Sequence, residues 1–321
     1  MIILCTLTTN NIFASHATLA TLDWSTDQSA FQSFRPHQVA PIFGEDPHSE
    51  FPRINIDPDF LKTKLMEFSG ASPILINGVQ AIISERGSNA GRELARKYLA
   101  LEYAKIGYIT TTHSYSATGI NFIAEKKGLD TSKVVIISSH IDSMHNSGAD
   151  DNGTGTISAL AIAHALAKSE IKYTLRIVGF DQEENGLVGS RNYVNTLQSF
   201  ETILLDVNLE MTGFNNRRDG AFHVIDCDRA DSKPFSAMLV TAITELALPL
   251  KRTSACTDRS DHASFWSKNI PAVVISQNFF GGDSNPCYHK ACDKVDRIHF
   301  DYMTNITKAV ASMVAVILWK R

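Results

Sequence analysis

The chain has 321 residues, of which 44 % are hydrophobic and 20 % charged, and a formal net charge of −4. This is the composition of an ordinary soluble globular protein, long enough to bury a core as one large domain or two small ones. The slight negative charge, with a pI near 6.3, gives no sign of a nucleic-acid or anionic-membrane partner.

At the N-terminus, Met1–Leu7 is apolar and Ser15-His16-Ala17 has the form of a small-x-small cleavage site, without a positive n-region before it. Residues 1–17 are read as a signal peptide. Residues 18–53 are polar and interrupted by Pro36, Pro41, Pro47 and Pro52, and are read as an N-terminal extension or propeptide. One domain is expected over 54–321.

Within it, Ile56–Phe68 reads as a helix capped by Asp57, with Leu61, Leu65 and Phe68 on one face. A second helix is expected over Ser88–Ile106, ending at Gly107. From there strands and helices alternate. Lys133–Ser138 is a continuous β-branched run, as in a strand buried on both faces. Gly155–Ala167 reads as a helix, Thr174–Phe180 as a strand, Gly189–Thr196 as a short helix and Ile203–Leu209 as a strand. Phe222–Ile225, a helix over Pro234–Leu246 and the strand Ala272–Ile275 continue the series. The apolar run Ala309–Trp319, eleven residues, is too short to span a bilayer and fits a buried C-terminal helix. The alternation predicts an α/β fold, a three-layer α/β/α sandwich around a mostly parallel, mixed sheet.

Ligands of such sheets collect beyond the carboxyl ends of the strands. His140, Glu183, Glu184 and Glu210 each follow closely on a predicted strand. Five stretches supply acidic or imidazole groups: Ser139-His140-Ile141-Asp142, Gly148–Gly153, Asp181–Gly186, Asn208–Met211 and Cys287-Tyr288-His289. Unpaired buried carboxylates cost several kcal/mol, so groups concentrated in this way are normally paired or bound to metal. A single histidine at a strand end is usually a satisfied polar residue, and a Glu-Glu pair usually a solvated surface. Together the five stretches read as a two-metal hydrolase, with donors that favour zinc.

In combination the motifs H-x-D, D-N-G-x-G, E-E-x-G-x-x-G-S, R-S-D-H-x-S-F and C-Y-H-x-x-C resemble the double-zinc aminopeptidases secreted by bacteria, a family related to glutamate carboxypeptidase and glutaminyl cyclase. The resemblance covers roughly residues 55–320 and implies two zinc ions per chain in a zinc-exopeptidase fold. It implies that His140 and Glu210 bind one metal, Glu184 and His289 the other, and that Asp151, rather than Asp150, bridges them. Asp142 would orient His140, and Glu183 would be the general base and acid. The Asp151–Asn152 peptide bond is cis in relatives. Arg259 and Tyr288 would stabilise the oxyanion, with Asp261 and His262 supporting their loop. Position 210 departs from the family pattern: it is most often Asp there and is Glu here.

Cys287 and Cys292 bracket His289, and the matching pair is a disulfide in relatives. Such a bond implies an oxidising compartment, so a secreted or periplasmic location is expected. Cys5 lies in the signal segment, and the sequence leaves the pairing of Cys227 and Cys256 open. His145, His164, His223 and His299 have no motif around them.

The function implied is a monomeric metallo-aminopeptidase acting on peptides with a free N-terminus, with large apolar N-terminal residues preferred. A single-zinc glutaminyl cyclase-like acyltransferase lacks the full ligand set, whereas His140 is present here. A carboxypeptidase would need a basic pocket, and no distinctive Arg cluster is evident. A non-catalytic binding protein would have lost a ligand or the base.

Overall fold

A computed structural model describes residues 51–319. The signal segment 1–17 with Cys5 and nearly all of the extension 18–53 lie outside them. The first described residues are already tied to the domain: the Phe51 amide donates to Glu245, and the Pro52 carbonyl accepts from Ser312.

Helix α1 (Pro58–Phe68) begins where expected, with the Asp57 carboxylate accepting the Asp59 N–H at 2.9 Å and Pro at the first helical turn. A short hairpin follows, β1 (Ile74–Ile76) and β2 (Val79–Ala81). Helix α2 (Asn89–Lys105) is capped by Ser88, whose hydroxyl accepts the Gly91 N–H. Strands β3 (Ile109–Ser114), β4 (Ile120–Lys126) and β5 (Asp130–His140) come next, then α3 (Gly155–Leu166), β6 (Tyr173–Phe180), α4 (Val188–Asn195) and β7 (Thr202–Glu210). The chain continues through β8 (Ala221–Ile225), α5 (Lys233–Glu245), β9 (Lys251–Thr253), α6 (His262–Trp266), β10 (Ala272–Gln277) and α7 (Phe300–Trp319).

Eight strands form one sheet in the order β3-β4-β6-β5-β7-β10-β8-β9. The centre, β6-β5-β7-β10, is parallel; β3, β4 and β6 pair antiparallel, as do β10 and β8. The sheet is therefore mixed, with its parallel block in the middle. Helices cover both faces. The larger core packs α1, α2, α3, α5 and α7 on one face, and a smaller one packs α4 and α6 on the other through Tyr193, Val194, Phe265 and Trp266.

Helix α7 starts at Phe300, well before the apolar run seen in the sequence. Its twenty residues would pass a test of length and apolarity for a membrane span. However, 78 % of its most apolar window is buried inside the domain, which makes it a core helix. Helix α3 has little amphipathicity for a similar reason, since ten of its residues, from Gly155 to Leu166, are buried.

Both cysteine pairs are bonded, Cys287 with Cys292 and Cys227 with Cys256. The second pair, 29 residues apart, ties the segment after β8 to the loop carrying Arg259. On chain-entropy grounds its removal costs roughly 3–4 kcal/mol. We expect the double variant Cys227→Ala, Cys256→Ala to show a stability loss of that order in denaturant unfolding.

Candidate metal centre

The register of the parallel block brings the site together. Ser138 on β5 is paired with Asn208 on β7, so two residues further on His140 is level with Glu210. On the other side of β5, His140 is paired with Phe180, the last residue of β6. Three adjacent strands thus end at one edge, and the turn after β6 carries Glu183 and Glu184 over it. The imidazole Nε2 of His140 lies 3.4 Å from Glu210 Oε1 and 3.2 Å from Asp151 Oδ1. His289 Nε2 lies 3.2 Å from Asp151 Oδ2 and 3.0 Å from Glu184 Oε2.

Two groups of three ligand atoms result: His140, Asp151 and Glu210, and Asp151, Glu184 and His289, with the atoms in each within 4.8 Å of one another. Asp151 belongs to both, with one carboxylate oxygen directed to each. Asp150 turns away; its carboxylate accepts the Gly213 N–H and the Asn285 side-chain amide.

The turn between β5 and α3 is fixed from several directions. The Asp293 carboxylate accepts the backbone N–H groups of Asp150 and Asp151, each at 3.0 Å. The Asn152 amide donates to the Leu209 carbonyl, and its oxygen accepts the N–H of Gly155 and of Met211. A Cβ on Gly155 would sit 2.3 Å from both the Asn152 oxygen and the Leu209 carbonyl, so the glycine permits this approach. The Asp151–Asn152 peptide bond is cis. Arg86 is fully buried behind the turn. Its guanidinium donates to the carbonyls of Ile141, Ser147 and Gly148, which ties the segment just after β5 to the start of the turn.

Asp142 holds the other side. Its carboxylate accepts the backbone N–H groups of Glu183 and Glu184 and lies 3.4 Å from His140 Nδ1. The carboxylate therefore holds the Glu-Glu turn, while His140 Nδ1 lies closer still to the Asp142 backbone carbonyl, at 3.2 Å. The longer side chain at position 210 is also accommodated. Glu210 Oε2 accepts from the Ser260 hydroxyl at 2.8 Å and from the Asn152 amide at 3.3 Å, leaving Oε1 toward His140.

The electrostatics are those of a place short of positive charge. Burial, then the charge of Asp151, pushes Glu184 up to about 8. Burial does the same to Glu183, and Asp261 and Glu210 add to it, holding its carboxyl well above the usual range. Burial opposes ionisation of Asp151 too, but hydrogen bonds from His140 and His289 prevail and bring it down to about 2. Burial disfavours the His140 imidazolium, yet Glu210 and Glu183 outweigh it and raise its pKa. Glu184 Oε1 is buried with no hydrogen-bond partner among the described residues. Three carboxylates and two imidazoles with an orphaned oxygen among them make a donor set suited to divalent zinc.

A cleft opens over these groups. It is lined by Glu183, Arg259 and Tyr288 and by the apolar Met211, Ile225, Val274, Phe279 and Phe280. Arg259 is exposed at its rim, and its guanidinium has no ion-pair partner among the described residues. The Tyr288 ring stacks on His289 at 3.7 Å between centroids, with Phe279 edge-on at 5.2 Å. Burial and the surrounding carboxylates raise the Tyr288 pKa, so its hydroxyl remains a donor at neutral pH. Asp261 and His262 are buried outside both ligand groups; the His262 ring packs on Trp266 and lies 3.0 Å from the Thr257 carbonyl.

The sequence leaves Asp293 and Arg86 unmarked by any motif, and it places Asn152 and Ser260 inside motifs without giving them a role. Asp293 had a weak signal, since it directly follows Cys292.

The model of peptidase family M28 matches residues 121–314. The chain is 28 % identical over 264 residues to leupeptin-inactivating enzyme 1 of Streptomyces exfoliatus, covering 74 % of this chain and 59 % of that protein. It is 30 % identical over 221 residues to leucine aminopeptidase 2 of Trichophyton rubrum, covering 61 % of this chain and 44 % of that one. Among solved structures, a zinc aminopeptidase from Bacillus subtilis superimposes with a TM-score of 0.58 at 25 % identity, over 63 % of this chain and 50 % of the other. The chain spans about half the length of the curated relatives it matches. With the family match extending over well more than half of its residues and enclosing the two ligand groups, the chain belongs to peptidase family M28.

Proposed function

We propose that the protein is a two-zinc aminopeptidase that releases one residue at a time from a free peptide N-terminus, and that residues 54–321 are its catalytic domain. The observation that carries this is the pair of three-ligand groups sharing Asp151. His140 and Glu210 would hold one zinc, Glu184 and His289 the other, with Asp151 between them. Bound zinc supplies Lewis-acid polarisation of the scissile carbonyl and lowers the pKa of water.

The remaining steps fall to side chains of this chain. Glu183 faces the cleft beside the ligand groups and, with its raised pKa, is suited to take the proton of the attacking water and pass it to the leaving amine. Arg259 and the Tyr288 hydroxyl line the same cleft, where they can donate to the carbonyl oxygen as it becomes negative. Glu183 and Glu210 would hold the substrate α-ammonium, which confines cleavage to the first bond. Met211, Ile225, Phe279 and Phe280 would take a large apolar side chain, which fits the leucine aminopeptidase among the relatives. Two disulfides support an oxidising compartment outside the cytoplasm.

The single-zinc acyltransferase reading is less favoured, because His140 and Glu210 complete a second group with Asp151. An assay on leucyl-anilide and its N-acetyl derivative tests the proposal. Hydrolysis of the free amine alone is expected; equal rates on both would rule out an aminopeptidase. For Tyr288→Phe we expect kcat to fall by roughly ten- to a thousandfold with zinc content intact, the range for one lost oxyanion donor. An unaltered kcat would reduce Tyr288 to packing.

A further inference from the structure

His223, which no motif singled out, is buried in β8 at 1 % exposure and is hydrogen-bonded through both ring nitrogens. Its Nε2 accepts the backbone N–H of Phe280 at 3.0 Å. Nδ1 must then carry the proton, and it lies 2.9 Å from Thr253 Oγ1 and 3.3 Å from the Thr253 carbonyl. The Thr253 hydroxyl in turn reaches the Phe222 carbonyl at 2.9 Å and Asn278 Oδ1 at 3.1 Å. Burial lowers the His223 pKa, which favours the neutral ring that this arrangement needs.

The loop after β10 is thus pinned at Phe280 to the sheet edge formed by β8 and β9. Phe280 is 50 % exposed and lines the cleft, and its ring lies 5.6 Å from that of His223. Phe279 follows at 5.2 Å from Phe280 and reaches Tyr288, which stacks on His289. A continuous row of rings therefore runs from His223 to His289; the N–H···N hydrogen bond joins its outer end to β8, while Arg217 holds the next residues through the Gly281 and Gly282 carbonyls.

We infer that His223 is a specificity-determining positioning residue: by fixing the Phe280 backbone it sets the width of the pocket for the substrate's N-terminal side chain. This rests on the aminopeptidase reading. Phe280 is half in solvent, so the position of its ring depends more on the backbone that carries it than on packing.

The test compares kcat/KM on leucyl-anilide and alanyl-anilide, whose ratio cancels the chemistry common to both. In His223→Leu the Leu-to-Ala ratio is expected to fall about tenfold, the scale on which a hydrophobic pocket distinguishes side chains. The fall should come mainly through KM of the leucyl substrate, with zinc content unchanged. His223→Gln, whose amide oxygen can accept the same N–H, should keep most of the discrimination. A folded His223→Leu variant with the wild-type ratio overturns the inference. Should His223→Leu fail to fold, Thr253→Val removes the hydroxyl that fixes the imidazole tautomer. A fall of about threefold is then expected, and an unchanged ratio overturns the inference. Wild-type protein that cleaves neither anilide overturns the aminopeptidase reading and this inference with it; a wild-type preference for Leu that the variants retain overturns this inference alone.

Discussion

Replacing Asp151 with alanine is expected to abolish activity, by a factor on the order of 10⁴ or more, and to weaken both metal positions together. Its two carboxylate oxygens face different imidazoles, His140 and His289, at 3.2 Å each. Every other ligand candidate belongs to one group only. The backbone of the turn is held independently of this carboxylate, by Asp293, Asn152 and Arg86. The variant should therefore fold and yet fail to retain zinc. Metal analysis with circular dichroism checks this, and a folded Asp151→Ala protein with full zinc content would show that the groups are not joined through Asp151.

The second large effect is expected at Glu183. Glu183→Gln keeps size and polarity but cannot accept a proton, and kcat should fall by about 10²–10⁴ with zinc content and fold near normal. The neighbouring change Glu184→Gln should instead weaken one metal position, because Glu184 Oε2 is the atom facing His289. The separation of roles has a structural origin. Asp142 accepts both backbone N–H groups of the turn, which fixes Glu183 and Glu184 in place while their side chains diverge. Loss of zinc in Glu183→Gln with retention in Glu184→Gln would exchange the two roles.

The parts of the fold legible in the sequence were those whose burial leaves a pattern. Lys133–Ser138 and Thr174–Phe180 lie in the parallel centre; the first reads as a continuous β-branched run, and the second is interrupted by Arg176, which pairs with Glu125 and Glu201. Strand β3 left no such mark. Its Thr110–His113 stretch is polar and largely exposed at a sheet edge, where pairing rather than burial holds it, so the sequence marks a mixed sheet without marking this antiparallel edge strand. The hairpin at Ile74–Ala81 did carry a local signal, Asn77-Gly78 with positive φ at both positions.

The ligand candidates are legible because each stands in a short motif, with His140, Glu184 and Glu210 at or just beyond strand ends. Asp293 and Arg86 are not, because they act on backbone amides and carbonyls, which are present everywhere in a chain and leave no matching side-chain pattern. The pocket aromatics Phe279 and Phe280 come from a loop without periodicity, and their relation to His223 depends on a long-range register between β8 and β10. Glu210 was read as a departure from the family pattern. Ser260 and Asn152 supply the physical account, since they take up the second oxygen of the longer side chain.

The central claim is that one carboxylate, Asp151, joins two metal positions. The most direct measurement is the zinc content of protein saturated with zinc and freed of loosely bound ions. Two zinc ions per chain are expected, from the two ligand groups. One ion per chain at saturation would contradict the account and leave the single-zinc acyltransferase chemistry as the better reading.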